Sequence, residues 1–295
     1  MSTTPDVANL ARDLASSTEA ERRLPEALVV ALREADQARA WVPAALGGAE
    51  ASPADVLRDL HDLARADMSA GWCAAIAATT GLLGAYLTPA AGARAFGTPG
   101  SIACGVWAPR ARAARDPDGT LRVSGRWAFS SAVTHADWFF GGALVTDARG
   151  ASEPPEMHIV GLPVSELEVH DTWEVGGLRG TGSHDTSVQD AIVPAELAIP
   201  LLRSAPQFDT ALACFPVFGL FAQALAAVAL GNARGAMDDL RELAVGKTPL
   251  GSGRTVADRA TVQARVAEAE AGLRAAHALT EQAVAAAWVD AEAGG

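Results

Sequence analysis

The side chains able to do chemistry in this 295-residue chain are scattered, and no familiar catalytic constellation gathers them. Its histidines form no HExxH pair, no serine sits in a GxSxG elbow, and no glycine-rich stretch has the Walker form. No GxGxxG follows a candidate strand, which argues against a Rossmann dinucleotide site. What remains is hydroxyls, glycines and aromatic rings in two stretches. WAFSS at 127–131 sets Trp127 and Phe129 beside Ser130 and Ser131. DTWEVGGLRGTGSHD at 171–185 sets Arg179, Thr181 and Ser183 among glycines. Such groups hydrogen-bond a ligand, and glycines let the backbone approach it closely. On the residues alone other roles stay open: strand serines facing solvent, Arg179 in a surface ion pair, Trp72 and Trp127 as plain core, and Thr181 and Ser183 closing a turn.

The totals bound the rest. A hydrophobic content of 49% with 20% charged residues describes a packed globular chain. Lys+Arg number 23 against 35 Asp+Glu, so there is no basic face for nucleic acid. Cys73, Cys104 and Cys214 are far apart, which excludes a zinc ribbon or disulfide framework and fits a reducing cytoplasm. The N-terminus lacks the features of a signal peptide. The apolar run FPVFGLFAQALAAVALG at 215–231 carries Gln223 and leads into an amphipathic stretch, so it is read as a buried bundle helix and not a membrane span.

Three zones must position these residues. Residues 1–100 read as a helical domain: apolar residues recur at three and four, Ser52–Pro53 forms an N-cap with proline at N1, and 69–88 is apolar almost all round. Residues 101–205 read as an antiparallel β-sandwich or barrel, with strands in LRVSGRWAFSS, DWFFGGALVT, EMHIVGLPV and TSVQDAIVP broken by DPDG, DARGASEPP and the glycine stretch. Residues 206–295 read as a helical bundle with long helices near 211–245 and 256–291, the second with a heptad-like seam.

This α+β layout of helices, β domain and bundle resembles the acyl-CoA dehydrogenase fold. LPEALVVALREADQARAWVPAALGG is similar to that superfamily's first helix and VP-x-x-LGG loop, and GLRGTGSHD to its strand–loop–strand. GRWAFSSAVTHADW and the helix ADRATVQARVAEAEAGL resemble the two-component flavin-dependent monooxygenases more than the dehydrogenases. The resemblance implies reduced FMN or FAD delivered by a separate flavin reductase, O2 as oxidant, and an aromatic or polyketide-like, largely apolar substrate. It places Ser130 and Ser131 at the flavin N5/O4 edge as catalytic hydroxyls, Arg179 at the pyrimidine edge, and Trp72, Trp127, Phe129, Thr181 and Ser183 around the cofactor. No metal is implied. His135, Asp137, Trp138, His184 and Asp185 match family motifs in structural roles.

Four departures bear on activity. The position two turns after Trp72, where the family has a histidine, is Thr80, which can donate a hydrogen bond but cannot act as a base near neutral pH. The family's G-x-x-x-P-x-G-x-A loop reads GVWAPRARA, with Ala111 for its second glycine, and its SG reads Ser131–Ala132. The family's last bundle helices are expected beyond the one ending near Ala293, so a homo-oligomer (dimer or tetramer) or a complementing subunit is expected to cover the seam. Two alternatives stand beside the monooxygenase: an acyl-CoA dehydrogenase desaturating an acyl thioester with FAD, and a shortened non-catalytic member.

Overall fold

A computed structural model describes residues 6–147 and 155–294. Its helical layer opens with α1 (Val7–Asp13), α2 (Ala15–Glu21) and α3 (Glu26–Glu34), followed by α4 (Pro53–Ala66), α5 (Met68–Gly81) and α6 (Pro89–Phe96). Ser52 caps α4 through its hydroxyl with Pro53 in the first turn, as its sequence predicts. α5 is the central helix: all but Met68 and Trp72 are buried, so no polar stripe interrupts it.

Seven strands, among the described residues, form one sheet in the order β5-β6-β2-β1-β3-β4-β7. They are β1 (Ala103–Arg115), β2 (Leu121–Trp127), β3 (Trp138–Asp147), β4 (Glu156–Pro163), β5 (Glu168–His170), β6 (Asp185–Val193) and β7 (Ala198–Ile199). The expectation of an antiparallel domain is corrected at one pair, because β1 and β3 run parallel. β2 turns back on β1 through DPDG, and the chain then passes from Trp127 to Trp138 around the end of β1 to join its other edge. That crossing, residues 128–137, carries the serines. GVWAPRARA is not a loop but part of β1, with register shifts between Val106 and Pro109 and between Pro109 and Ala111. Proline cannot donate to the ladder, so the bulges fall around it. Ala111 is buried opposite Gly125, whose missing side chain makes room for the added methyl. The turn expected at DARGASEPP lies mostly outside the described residues.

After the sheet come α7 (Ala211–Cys214), α8 (Val217–Gly246) and α9 (Ala260–Glu292). α8 packs on α4 at close range because Gly231 lies against the His61 carbonyl, where a side chain could not fit. Glu270 of α9 receives Arg234 at 2.7 Å and Arg241 at 3.1 Å, both from α8, tying the two long helices together. The expectation of a buried bundle helix holds for one stripe of α8, namely Leu220, Ala224, Ala227, Val228 and Gly231. Phe218, Leu243 and Val245 of α8 and Leu279 and Val289 of α9 are exposed, so much apolar surface lies outside the core. α8 is long and apolar enough to cross a membrane by length and composition, as is 68–86, which is 89% buried.

Candidate flavin site

The two stretches that opened the sequence reading meet. The turn after β2 is bolted to the glycine stretch by two backbone bonds, Ser130 N–H to the His184 carbonyl and Ala132 N–H to the Thr181 carbonyl, each 2.9 Å. Phe129 and Ala132 are left-handed, at φ 64° and 67°. The left-handed backbone at 132 is what a glycine in the family's SG motif suits; Ala132 holds it at a cost of about 1–2 kcal/mol.

Between the stretches runs a ladder of side-chain hydrogen bonds. Trp72 Nε1–H of α5 donates to Ser131 Oγ at 3.0 Å, Ser131 and Ser183 hydroxyls are 2.7 Å apart, and Ser183 and Thr181 hydroxyls 2.6 Å. Thr181 Oγ1 donates to the Leu178 carbonyl at 2.9 Å. The two ends fix every proton. An indole N–H only donates and a carbonyl only accepts, so Thr181 gives its proton to Leu178, Ser183 gives to Thr181, and Ser131 gives to Ser183. Each hydroxyl retains acceptor capacity and has no proton left to offer.

Beside the ladder, Phe129 is 68% exposed, although it is a large aromatic in a sharply constrained turn. Its ring meets the edge of Trp173, with centroids 5.9 Å apart and planes at 73°. Trp173 is a candidate that the sequence reading missed. Its signal was present: it is the one aromatic residue in DTWEVGGLRGTGSHD, and its indole N–H is bound at 2.9 Å to the Leu178 carbonyl that also ends the ladder.

Other expected site residues lie elsewhere. Ser130 is fully buried; its hydroxyl pairs with Thr186 Oγ1 at 2.8 Å and lies 3.4 Å from the Trp127 carbonyl, sharing no partner with Ser131. Thr80 is buried and donates to the Ile76 carbonyl of its own helix at 2.7 Å, a back-bond that occupies the only proton it has. Trp127 does not wall the ladder: it is fully buried, donates to the Gly142 carbonyl at 2.9 Å and packs edge-on to Phe139. Arg179 donates to the Glu19 carbonyl at 3.1 Å and the Val175 carbonyl at 3.2 Å, and pairs with the Glu19 carboxylate at 3.3 Å. Its guanidinium therefore anchors the glycine stretch to α2.

That anchoring is the main work of GLRGTGSHD. Gly180 lies so close to α2 that a Cβ would overlap Thr18 Cγ2. Arg22, at the end of α2, grips Asp171 with two bonds of 2.8 Å and reaches Glu174 at 3.1 Å. The HADW motif is a second anchor: Asp137 takes Arg33 at 2.7 Å and the Ile102 N–H at 2.8 Å. His135 beside it is buried, with Nε2 unpartnered among the described residues. Burial first, then the charges of Arg23 and Arg33, push its pKa down to about 4. A separate cavity of about 240 Å³ opens between α4, α8 and α9 and shares no lining residue with the ladder.

A reduced isoalloxazine fits what the ladder offers. Its ring nitrogens carry N–H groups, and the ladder's acceptors, all buried and with Ser131 the least so at 6% exposed, lie beside the exposed ring of Phe129. The oxidised ring, whose N5 is an acceptor, would meet oxygens with no proton to give.

Residues 223–295 match the family model described as the acyl-CoA dehydrogenase C-terminal domain. The chain is 31% identical over 275 residues to an indole-3-acetate monooxygenase of Pseudomonas putida, covering 93% of this chain and 69% of that one. It is 30% identical over 283 residues to the oxygenase component of an FADH(2)-dependent resorcinol hydroxylase of Rhizobium sp., covering 92% and 68%. Among solved structures it superposes on XiaF from Streptomyces sp., in complex with FADH2 and glycerol, with a TM-score of 0.87 and 28% identity over 96% of this chain and 74% of that one. The chain spans about two thirds of the length of the curated relatives it matches. It belongs to the flavin-dependent monooxygenases built on the acyl-CoA dehydrogenase fold, the oxygenase components of two-component systems.

Proposed function

We propose that this chain binds reduced flavin at the Trp72–Ser131–Ser183–Thr181 ladder and oxygenates a small aromatic molecule there, with the flavin supplied by a separate NAD(P)H-dependent reductase. The observation that carries this is the direction of the ladder: its hydroxyls can only accept, and a flavin N–H donor exists at N5 only in the reduced ring. Bound reduced flavin supplies the electrons that activate O2. The residues do the rest. Ser131 would accept from the N5 edge and Phe129 and Trp173 would flank the ring, while Trp72 fixes the orientation of Ser131. Thr80 takes no proton, so no side-chain base is assigned.

An aromatic substrate is supported by the names of the relatives and by Trp107 of β1. Its ring meets Phe221 at 5.3 Å and Phe218 at 6.2 Å at the start of α8. The exposed apolar side chains of α8 and α9 support an oligomer or a complementing chain. Buried Cys73 and Cys104 are consistent with a reducing cytoplasm.

The test is a coupled assay with an NAD(P)H:flavin reductase, free FMN or FAD, O2 and a panel of phenols and indoles. Oxygenated product formed only when this chain is added supports the proposal. Reductase turnover that yields hydrogen peroxide alone, with every substrate and both flavins, contradicts it.

A further inference from the structure

His184 holds both walls of the proposed site through separate atoms. Its backbone carbonyl accepts Ser130 N–H at 2.9 Å, beside the turn that presents Phe129 and Ser131. Its ring Nδ1 accepts two more backbone donors, Thr172 N–H at 3.2 Å and Trp173 N–H at 3.3 Å. The side chain is 10% exposed. Two N–H groups converging on one nitrogen require that nitrogen to carry a lone pair, so the neutral ring has its proton on Nε2. Burial lowers the pKa of His184 and favours this neutral form. The neighbouring Asp171 carboxylate, 3.3 Å from Nδ1, is already gripped by Arg22 and does not need the ring as a donor.

We infer that His184 is a positioning residue for Trp173: Nδ1 fixes the 172–173 backbone, and so sets the indole against Phe129 at the face offered to the ring of the cofactor. This rests on the flavin reading for its consequence, but not for its geometry. The glycines at 176 and 177 meet nothing within 4 Å of a would-be Cβ; the segment around them is held through the Val175 carbonyl by Arg179 and through the Leu178 carbonyl by the Trp173 indole, neither of which reaches the 172–173 amides. The side-chain bonds from Arg22 reach Asp171, Glu174 and the Trp173 carbonyl, but no other side chain among the described residues accepts the two amides.

The test separates the acceptor from the bulk of the side chain. In His184→Asn, Oδ1 stands where Nδ1 stood, one bond beyond Cγ; in His184→Gln the amide oxygen stands one atom further out, near the Nε2 position. The His184 carbonyl bond to Ser130 is unaltered in both. Protein labelled with 5-fluorotryptophan is examined by 19F NMR, the Trp173 signal being assigned by its loss in Trp173→Phe. Reduced FMN is then titrated anaerobically into each variant. The expected result is one sharp Trp173 resonance in wild type and His184→Asn, and a shifted or broadened one in His184→Gln. Reduced-flavin affinity should fall about tenfold in His184→Gln, the order of one net hydrogen bond, and stay within about twofold in His184→Asn. A His184→Gln protein with the wild-type resonance, or a His184→Asn protein that behaves like His184→Gln, overturns the inference. If wild type binds no reduced flavin, the functional proposal fails, and the 19F comparison alone still decides the role of His184.

Discussion

Gly180→Ala tests whether the glycine stretch is a clamp on the helical layer. The added Cβ would overlap Thr18 Cγ2 and stand 3.0 Å from Ser69 Cβ and 3.2 Å from Ser69 Oγ. Carbon atoms in contact prefer about 3.5–4 Å, so α2 or the 179–181 turn must move. Thr18 is 1% exposed, leaving its side chain nowhere to rotate. Overpacking of this kind costs about 1–3 kcal/mol, and the displacement also strains the 3.1 Å bond from Arg179 to the Glu19 carbonyl, worth about 1 kcal/mol. Together these lower Tm by roughly 3–6 °C for a chain of this size. The assay is thermal unfolding of wild type, Gly180→Ala, Thr18→Ala and the double variant. Thr18→Ala alone should be close to neutral, because the hydroxyl it removes is buried without a partner. In the double variant it should restore most of the loss, giving a coupling of about 1–2 kcal/mol. An unchanged Tm in Gly180→Ala, or a loss that Thr18→Ala does not relieve, refutes the clamp.

Two further outcomes follow from the same geometry. Ser130→Ala leaves Thr186 Oγ1 without its partner in a buried place, so stability should fall by about 1–3 kcal/mol in urea unfolding while reduced-flavin affinity is unchanged; a large loss of affinity would restore Ser130 to the site. His135 is neutral in the folded state down to about pH 4 but takes up a proton near pH 6.5 when unfolded. Its contribution is therefore complete above pH 6.5 and is lost as pH falls, by roughly 1 kcal/mol per pH unit between about 6.5 and about 4. His135→Phe should flatten that part of the curve in urea unfolding at stepped pH; an unaltered slope assigns the acid sensitivity elsewhere.

The parts of the fold set by local pattern were legible. The Ser52 cap, the apolar α5 and four of the strands followed from periodicity and punctuation. β1 was not, because alanine, arginine and a proline carry little strand signal and its bulges are held by neighbours on both sides. For the same reason the parallel β1–β3 pair was invisible: it depends on where residues 128–137 cross, which no local pattern records. At the site, Ser131, Thr181, Ser183 and Trp72 were named from motif resemblance and do meet. Arg179 was assigned to a ligand because its actual partner, Glu19, is 160 residues away in sequence. Trp127 was placed beside the cofactor because a strand tryptophan shows no sign of which face it takes, and here Gly141 and Gly142 open the inner one. Thr80 read as a donor, but in a buried helix its nearest acceptor is its own preceding turn.

The most direct test of the account is an anaerobic titration of wild type and Ser131→Ala with FMN and FAD, each in oxidised and reduced form. A ladder that can only accept predicts tighter binding of the reduced ring by wild type, by about tenfold or more for one hydrogen bond matched against one mismatched. Ser131→Ala should lose most of that preference. Equal affinity for the two redox states, or a preference that survives Ser131→Ala, would contradict the assignment of the ladder as the reduced-flavin site.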